Sequence, residues 1–380
     1  MELGKFAWVG HPMAFEDIYG FMPSARIFKP IISKIPPSLI ENICELLSPQ
    51  NFIDFELNSK TKKAISGAGI FIPLTMRQMI MLEEEIIMRK IISACKIAQR
   101  LGAKLVTLGG AASMVGNEAL DIAKKVDIPI TSAKNYIASL AVDGILKACE
   151  MLDIEPKKSS VAIIGGATSS LGNVCSRILA NHFGQILLAE KFEDINMVDE
   201  LLNNVKSTDA KIIFRKYVSE ITKEADVILV PIFAPGVDFN IKELKSGSVL
   251  CDAVAPFYIG RSVRSQRKDI LVFEAPWCKL PENNTIKNEK FNSLQPNGVI
   301  YACLGEGVIL TMEGRFENFS LGRKNITPEK VKEISIIAFK HGFRLPDLRC
   351  NGYVYTKDDI TDLKKLREAN ALKAGQTINI

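Results

Sequence analysis

The stretch from Val161 to Cys175, VAIIGGATSSLGNVC, constrains the chain more than any other. Val161 to Ile164 form a short apolar run of the kind that makes a buried strand, small residues follow, and helical spacing resumes near Ser170. Glycines let a backbone turn tightly and approach a ligand, and a helix N-terminus offers unpaired N–H groups and the positive end of its dipole. A pyrophosphate is bound by such a strand, turn and helix start. The stretch therefore reads as part of a Rossmann-type dinucleotide-binding unit, with Gly165, Gly166, Thr168, Ser169, Ser170, Leu171 and Gly172 as candidate cofactor-binding residues. In the register GxxGxxG, Ser169 stands where the middle glycine would be, and its hydroxyl is expected to donate to phosphate. The competing reading is a structural turn in a sheet that binds no nucleotide.

The next apolar run, Gln185 to Leu188, is followed by Glu190 and Lys191. An acidic residue there would bind the ribose hydroxyls of NAD, and a basic one the 2'-phosphate of NADP. Lys191 is taken as a candidate cofactor residue, with NADP ahead of NAD.

Strand runs alternate with helical stretches along most of the 380 residues, which implies parallel sheets with helical crossovers. Strands are expected at Phe6 to Val9, Ile70 to Pro73, Lys104 to Leu108 and Ile128 to Thr131, then at Val161, Gln185, Lys211, Val227, Ser248 and Ile270. One long amphipathic helix is predicted from Met76 to Leu101, and others over Asn117 to Lys125, Asn135 to Leu152, Tyr301 to Met312 and Thr327 to His341. The fold class is α/β: an N-terminal α/β substrate domain over 1–148, a central doubly wound parallel sheet over 149–290, and C-terminal helices with a tail over 291–380.

A net charge of +5 without a block of like charges leaves no nucleic-acid footprint. The eight cysteines form no CxxC pair and fit a reducing cytoplasm, and no histidine stands at metal-ligand spacing from another ligand type, so no metal is expected. No 18-residue apolar run occurs, so the chain reads as soluble, with peripheral membrane contact left open as a partner.

Several separated stretches resemble the long-chain acyl-[acyl-carrier-protein] reductases, which make fatty aldehydes. They are Val9-Gly10-His11, Pro36-Pro37, Leu108-Gly109-Gly110, the segment from Val161, Ala302-Cys303-Leu304-Gly305-Glu306 with Glu313-Gly314, and Asn318-Phe319-Ser320-Leu321-Gly322-Arg323 leading to His341-Gly342-Phe343. The resemblance runs in order from about residue 6 to 344. It departs at Ser169, at Glu190, around Ala253 to Tyr258 and after Leu345.

What the resemblance implies is a thioester exchange. Cys303 would attack an acyl thioester, release the carrier thiol and hold the acyl group for reduction by NADPH or NADH, with acyl-carrier protein or acyl-CoA as substrate. A thiolate is a strong nucleophile, and a thioester stays electrophilic enough to take a hydride. Glu306, one helical turn on, is a candidate to orient a proton or donor, and His11 and His341 are candidate general acids. By residue type alone Cys303 reads as a small buried hydrophobe, and each histidine as structural. Two alternatives stay open: an amino-acid or shikimate-type dehydrogenase that transfers hydride directly, and a non-catalytic protein that senses a dinucleotide.

Overall fold

The buried run Phe6 to Val9 builds β1 (Glu2–Gly10), the middle strand of a five-stranded sheet, in a computed structural model of the chain. The structure describes residues 2–14, 17–18, 34–58, 64–189, 195–206, 208–232, 240–282 and 298–377. The sheet order is β2-β3-β1-β4-β5, with β2 at Gln50–Asn58, β3 at Ala64–Phe71, β4 at Ala103–Leu108 and β5 at Ile130–Thr131. β1, β3, β4 and β5 are parallel, and β2 is an antiparallel edge.

Parallel strands covered on both faces read as unbroken apolar runs, and these were the legible ones. β2 was not among the expected strands. It alternates instead, burying Ile53, Phe55 and Leu57 between exposed neighbours, a period of two that marks a half-covered strand. β3 carries Gly67 and Gly69 where the rings of Phe55 and Phe52 fill the space a side chain would need.

The predicted helix from Met76 to Leu101 is two helices. Met76–Met81 starts with a capping box of Thr75 and Gln78, and Glu84–Arg100 begins after an extended Glu83. Glu84 and Glu85, which interrupt the apolar pattern, fall in the first turn of the second helix, where negative charge meets the positive dipole end. That helix buries Ile87, Ile91, Ala94, Cys95 and Ala98 along one side. The helix expected over Asn117 to Lys125 is also broken: positive φ runs through Gly116, Asn117 and Glu118 inside the segment Val115–Glu118 and on to Ala119, before a single turn at Leu120–Ala123.

The second sheet has six strands, all parallel, in the order β11-β10-β9-β6-β7-β8. They are β6 Ser160–Ile164, β7 Gln185–Ala189, β8 Lys211–Arg215, β9 Val227–Val230, β10 Val249–Asp252 and β11 Leu271–Glu274. Counted from β6, this is the doubly wound Rossmann order, reversing direction between β6 and β9.

The chain forms two compact units: residues 1–136 with 277–344, and 137–276 with 345–380. The expected C-terminal segment over 291–380 is thus divided, and the boundary expected near 148 falls inside the helix Lys134–Met151. The physical reason lies in the helix Ala302–Glu313. It is apolar on nearly every side and can be stable only inside a core, which the first sheet supplies. Before it, β12 (Trp277–Lys279) and β13 (Val299–Tyr301) pair as antiparallel strands. In the other unit, the short pair β14 (Arg349–Cys350) and β15 (Tyr353–Val354) returns to β11 through Asn351, whose N–H donates to Glu274 at 3.0 Å.

Candidate functional site

The glycine turn leaves β6 where the strand order of the second sheet reverses, the place where doubly wound sheets bind ligands. Gly165 has a φ of +69°, which favours glycine. A side-chain carbon on Gly172 would stand 2.0 Å from the Gly166 carbonyl oxygen, so only glycine lets the helix Ser170–Leu179 start this close to the turn. Ser169 is the N-cap of that helix. Its Oγ donates to the Gly166 carbonyl at 2.7 Å and accepts from the Gly172 N–H at 3.0 Å. The hydroxyl expected to reach for phosphate is therefore engaged in building the helix start. Gly165, Thr168 and Ser169 are half-buried, while Ser170, Leu171 and Gly172 are buried. Lys191 and Glu190 lie outside the described residues.

In the other unit, the turn after β4 carries Gly109 and Gly110, and the turn after β1 carries His11. Gly109 continues the pairing by donating its N–H to Val9 at 2.8 Å. A side-chain carbon on Gly109 would stand 2.7 Å from Trp8 Nε1 and 3.3 Å from Cys303 Sγ. One on Gly10 would stand 2.8 Å from the same indole, so the Trp8 ring lies over a shelf of two glycines at the ends of neighbouring strands. Phe52 meets that ring edge-on at a centroid distance of 6.2 Å.

Cys303 is the second residue of the helix Ala302–Glu313, and of the eight cysteines it alone is not buried. Its carbonyl accepts a hydrogen bond from Thr107 Oγ1 of β4 at 2.5 Å. Gly305 and Gly307 let the helix approach Tyr136 and Cys278 on one side and Phe6 and Thr107 on the other. Burial pushes the Cys303 thiol up to about 11, while the nearby Trp8 indole and the backbone at Leu304 and Cys303 act to lower it. Burial takes Cys95, Cys149, Cys175 and Cys350 further, to about 12.

Glu306 is fully buried. Its carboxylate accepts from Thr131 Oγ1, from Ser320 Oγ at 2.9 Å and from the Tyr136 N–H at 3.2 Å. Ser320 in turn accepts from Asn135 Nδ2 at 2.9 Å, and Asn135 Nδ2 also donates to the Asn325 carbonyl at 3.0 Å. Asn318 Oδ1 accepts from the Ile130 N–H at 2.7 Å. The Asn318 to Arg323 block is thus stitched to β5 and to the start of the helix Lys134–Met151, with Glu306 as the shared acceptor. Burial raises the Glu306 carboxyl to about 7 despite these donors.

His11 is buried and both ring nitrogens are engaged: Nε2 accepts from the Ala111 N–H at 2.9 Å, so Nδ1 carries the proton and faces the Pro12 carbonyl at 3.0 Å. Burial lowers its pKa to about 4. His341 lies elsewhere, with Nε2 2.7 Å from Glu313 Oε2 at the far end of the Cys303 helix. Glu313 lies ten positions along the helix from Cys303, about 15 Å. The structure thus brings Cys303, Glu306, His11 and Gly109 into one region and leaves His341 out. Sequence reasoning missed Trp8, Thr107, Thr131 and Asn135, which carry no motif. Ser320 stood inside a block already singled out.

No protein-family model matches the chain. It is similar to the aminotransferase PigE of a Serratia species, 28% identical over 329 residues, which is 83% of this chain and 36% of that protein. The chain therefore spans about a third of the length of that relative. It is also 25% identical over 315 residues to the long-chain acyl-[acyl-carrier-protein] reductase of Synechococcus elongatus, covering 78% of this chain and 87% of that protein. Among solved structures, L-tryptophan dehydrogenase from Nostoc punctiforme is 12% identical with a TM-score of 0.36, covering 96% of this chain and 87% of that one. Shikimate 5-dehydrogenase from Listeria monocytogenes in complex with shikimate and NAD is 9% identical, also at 0.36, covering 88% and 96%. The Rossmann assignment of the second unit rests on its own strand order.

Proposed function

We propose that the chain reduces a fatty acyl thioester, on a carrier protein or coenzyme A, to the aldehyde with NADPH or NADH through an acyl group held on Cys303. The observation that carries this reading is the one half-buried cysteine among eight, at the start of a buried helix and beside Gly109 and Trp8. The similarity to the Synechococcus elongatus reductase over most of both chains supports the same chemistry.

The residues after β6 fit a dinucleotide. Gly172 allows the close helix start, and the first-turn N–H groups of Ser170 and Leu171 have no intrahelical acceptor to turn to. When bound, the nicotinamide supplies the hydride that reduces the acyl carbon.

Cys303 Sγ bonds to the acyl carbon as the bond from that carbon to the carrier sulfur breaks. The departing thiolate takes the proton that Cys303 gives up. Once the acyl carbon is reduced, its bond to Sγ breaks, aldehyde leaves, and Cys303 takes a proton from solvent. In sum, thioester, reduced cofactor and one proton give aldehyde, free thiol and oxidised cofactor. A thiol held near 11 is protonated at neutral pH, so the resting enzyme supplies that proton itself. His11 braces the turns after β1 and β4, its one ring proton held by Pro12. Thr107 and Glu306 fix the Cys303 helix against β4, β5 and the Ser320 loop.

The test is incubation with NADPH or NADH and a panel of acyl thioesters on carrier protein and coenzyme A. The expected product is aldehyde. A hydride transfer to shikimate-like or amino-acid substrates, with every thioester untouched, would overturn the reading.

A further inference from the structure

The Trp8 indole is more than filling for the first sheet. Its ring carbons lie over Gly10 and its nitrogen over Gly109, at the spot that Cys303 Sγ also approaches. An alanine at Gly109 would collide with the indole nitrogen at 2.7 Å and press on the sulfur at 3.3 Å. Two glycines and the edge of Phe52 thus set the indole nitrogen and the Cys303 sulfur around one point above Gly109, 2.7 Å and 3.3 Å from it. An indole N–H is a donor only and does not take up a proton at ordinary pH. Beside a sulfur that is anionic once its proton has left, gives that charge up as it bonds to the acyl carbon, and regains it when the aldehyde leaves, such a donor favours the charged form each time.

We propose that the Trp8 indole N–H stabilises the Cys303 sulfur as an anion, held there by the glycine shelf of Gly10 and Gly109. This rests on the thioester reading above for its catalytic meaning, and stands on geometry for the thiol itself. The indole comes from β1, while Cys303 stands in the first turn of its own helix, where backbone N–H groups have no intrahelical acceptor.

The experiment is the rate of Cys303 alkylation by iodoacetamide against pH, read peptide by peptide in the wild type and in Trp8→Phe, which keeps a ring and removes the donor. The seven buried cysteines report folding in the same digest, since they stay unlabelled while the core is intact. The expected result is a profile moved to higher pH in the variant, with alkylation at fixed pH slower by about tenfold, the scale of a hydrogen bond to a charged group. Superimposable profiles would overturn the proposal. Should Trp8→Phe leave the buried cysteines reactive, the profile is taken with 3-benzothienylalanine at position 8, which keeps the shape and puts sulfur in place of the N–H. Loss of the thioester reading shows separately, as aldehyde formation that survives Cys303→Ser.

Discussion

Two glycine turns leave two central parallel strands, one after β6 and one after β4, and they are put to opposite uses. At Gly165 to Gly172 the absence of side chains brings a helix start close to the strand end, with the Ser169 hydroxyl turned inward to cap it. At Gly109 and Gly110 the space left by the missing side chains is filled by Trp8, His11, Met13 and Cys303 Sγ. The first turn presents backbone, which suits a phosphate. The second packs reactive and polar side chains against backbone, which suits chemistry. A glycine pair at a strand end therefore specifies closeness, and what falls into the space decides the use.

The largest effect expected from breaking this contrast is at the sulfur. Cys303→Ser should lower aldehyde formation by at least about a thousandfold while dinucleotide affinity stays unchanged, measured by turnover and by cofactor titration. A variant that keeps its turnover would move the chemistry away from the second turn altogether.

The next effect is a pH dependence of stability from the carboxyl that fixes the Cys303 helix. Glu306 titrates near 4.5 when unfolded and at about 7 when folded, so between those values the folded chain keeps a proton that the unfolded chain releases. Its contribution is full below 4.5 and is lost as the pH rises through 7. Relative to Glu306→Gln, the wild type should lose up to roughly 3 kcal/mol of unfolding free energy across that window, followed by denaturant titration. A flat difference would show that burial does not control this carboxyl.

The two turns can be separated by one substitution each. Gly172→Ala forces a carbon against the Gly166 carbonyl and should cost about 2 kcal/mol and weaken cofactor binding. Gly109→Ala should leave cofactor binding intact and instead slow both turnover and Cys303 alkylation. If both variants fail in the same assay, the division of labour is wrong. The smallest effect is Ser169→Ala, which removes a helix cap and should cost about 1 kcal/mol by thermal or chemical unfolding, with little change in cofactor affinity.

Much of this was legible in the sequence, for physical reasons that also explain the failures. Buried parallel strands are continuous apolar runs, so β6, β7, β9, β10 and β11 could be read within a residue or two, and the helix Pro328–His341 declared itself through Thr327 and Pro328. β2 was lost because its alternation is short and starts with two exposed residues. The single helix from Met76 failed because periodicity survives a two-residue interruption, whereas the helical backbone does not survive Leu82 and Glu83. In the candidate site, Cys303 and Glu306 came from a block of sequence. Trp8 did not, since a tryptophan in an apolar strand looks like core until its neighbours are known. The two-unit division was hidden because residues 277–344 return to a sheet built 200 residues earlier, and no local pattern records such a return.

The central claim is that Cys303 carries the acyl group. The most direct measurement is the intact mass of the protein after a brief mixing with an acyl thioester and no cofactor, followed by digestion and then by addition of NADPH or NADH to a parallel sample. One acyl mass on the Cys303 peptide, discharged as aldehyde when the reduced cofactor is added, is the expected result. Aldehyde formed with no acyl mass on Cys303, or an adduct that the cofactor never discharges, would contradict it.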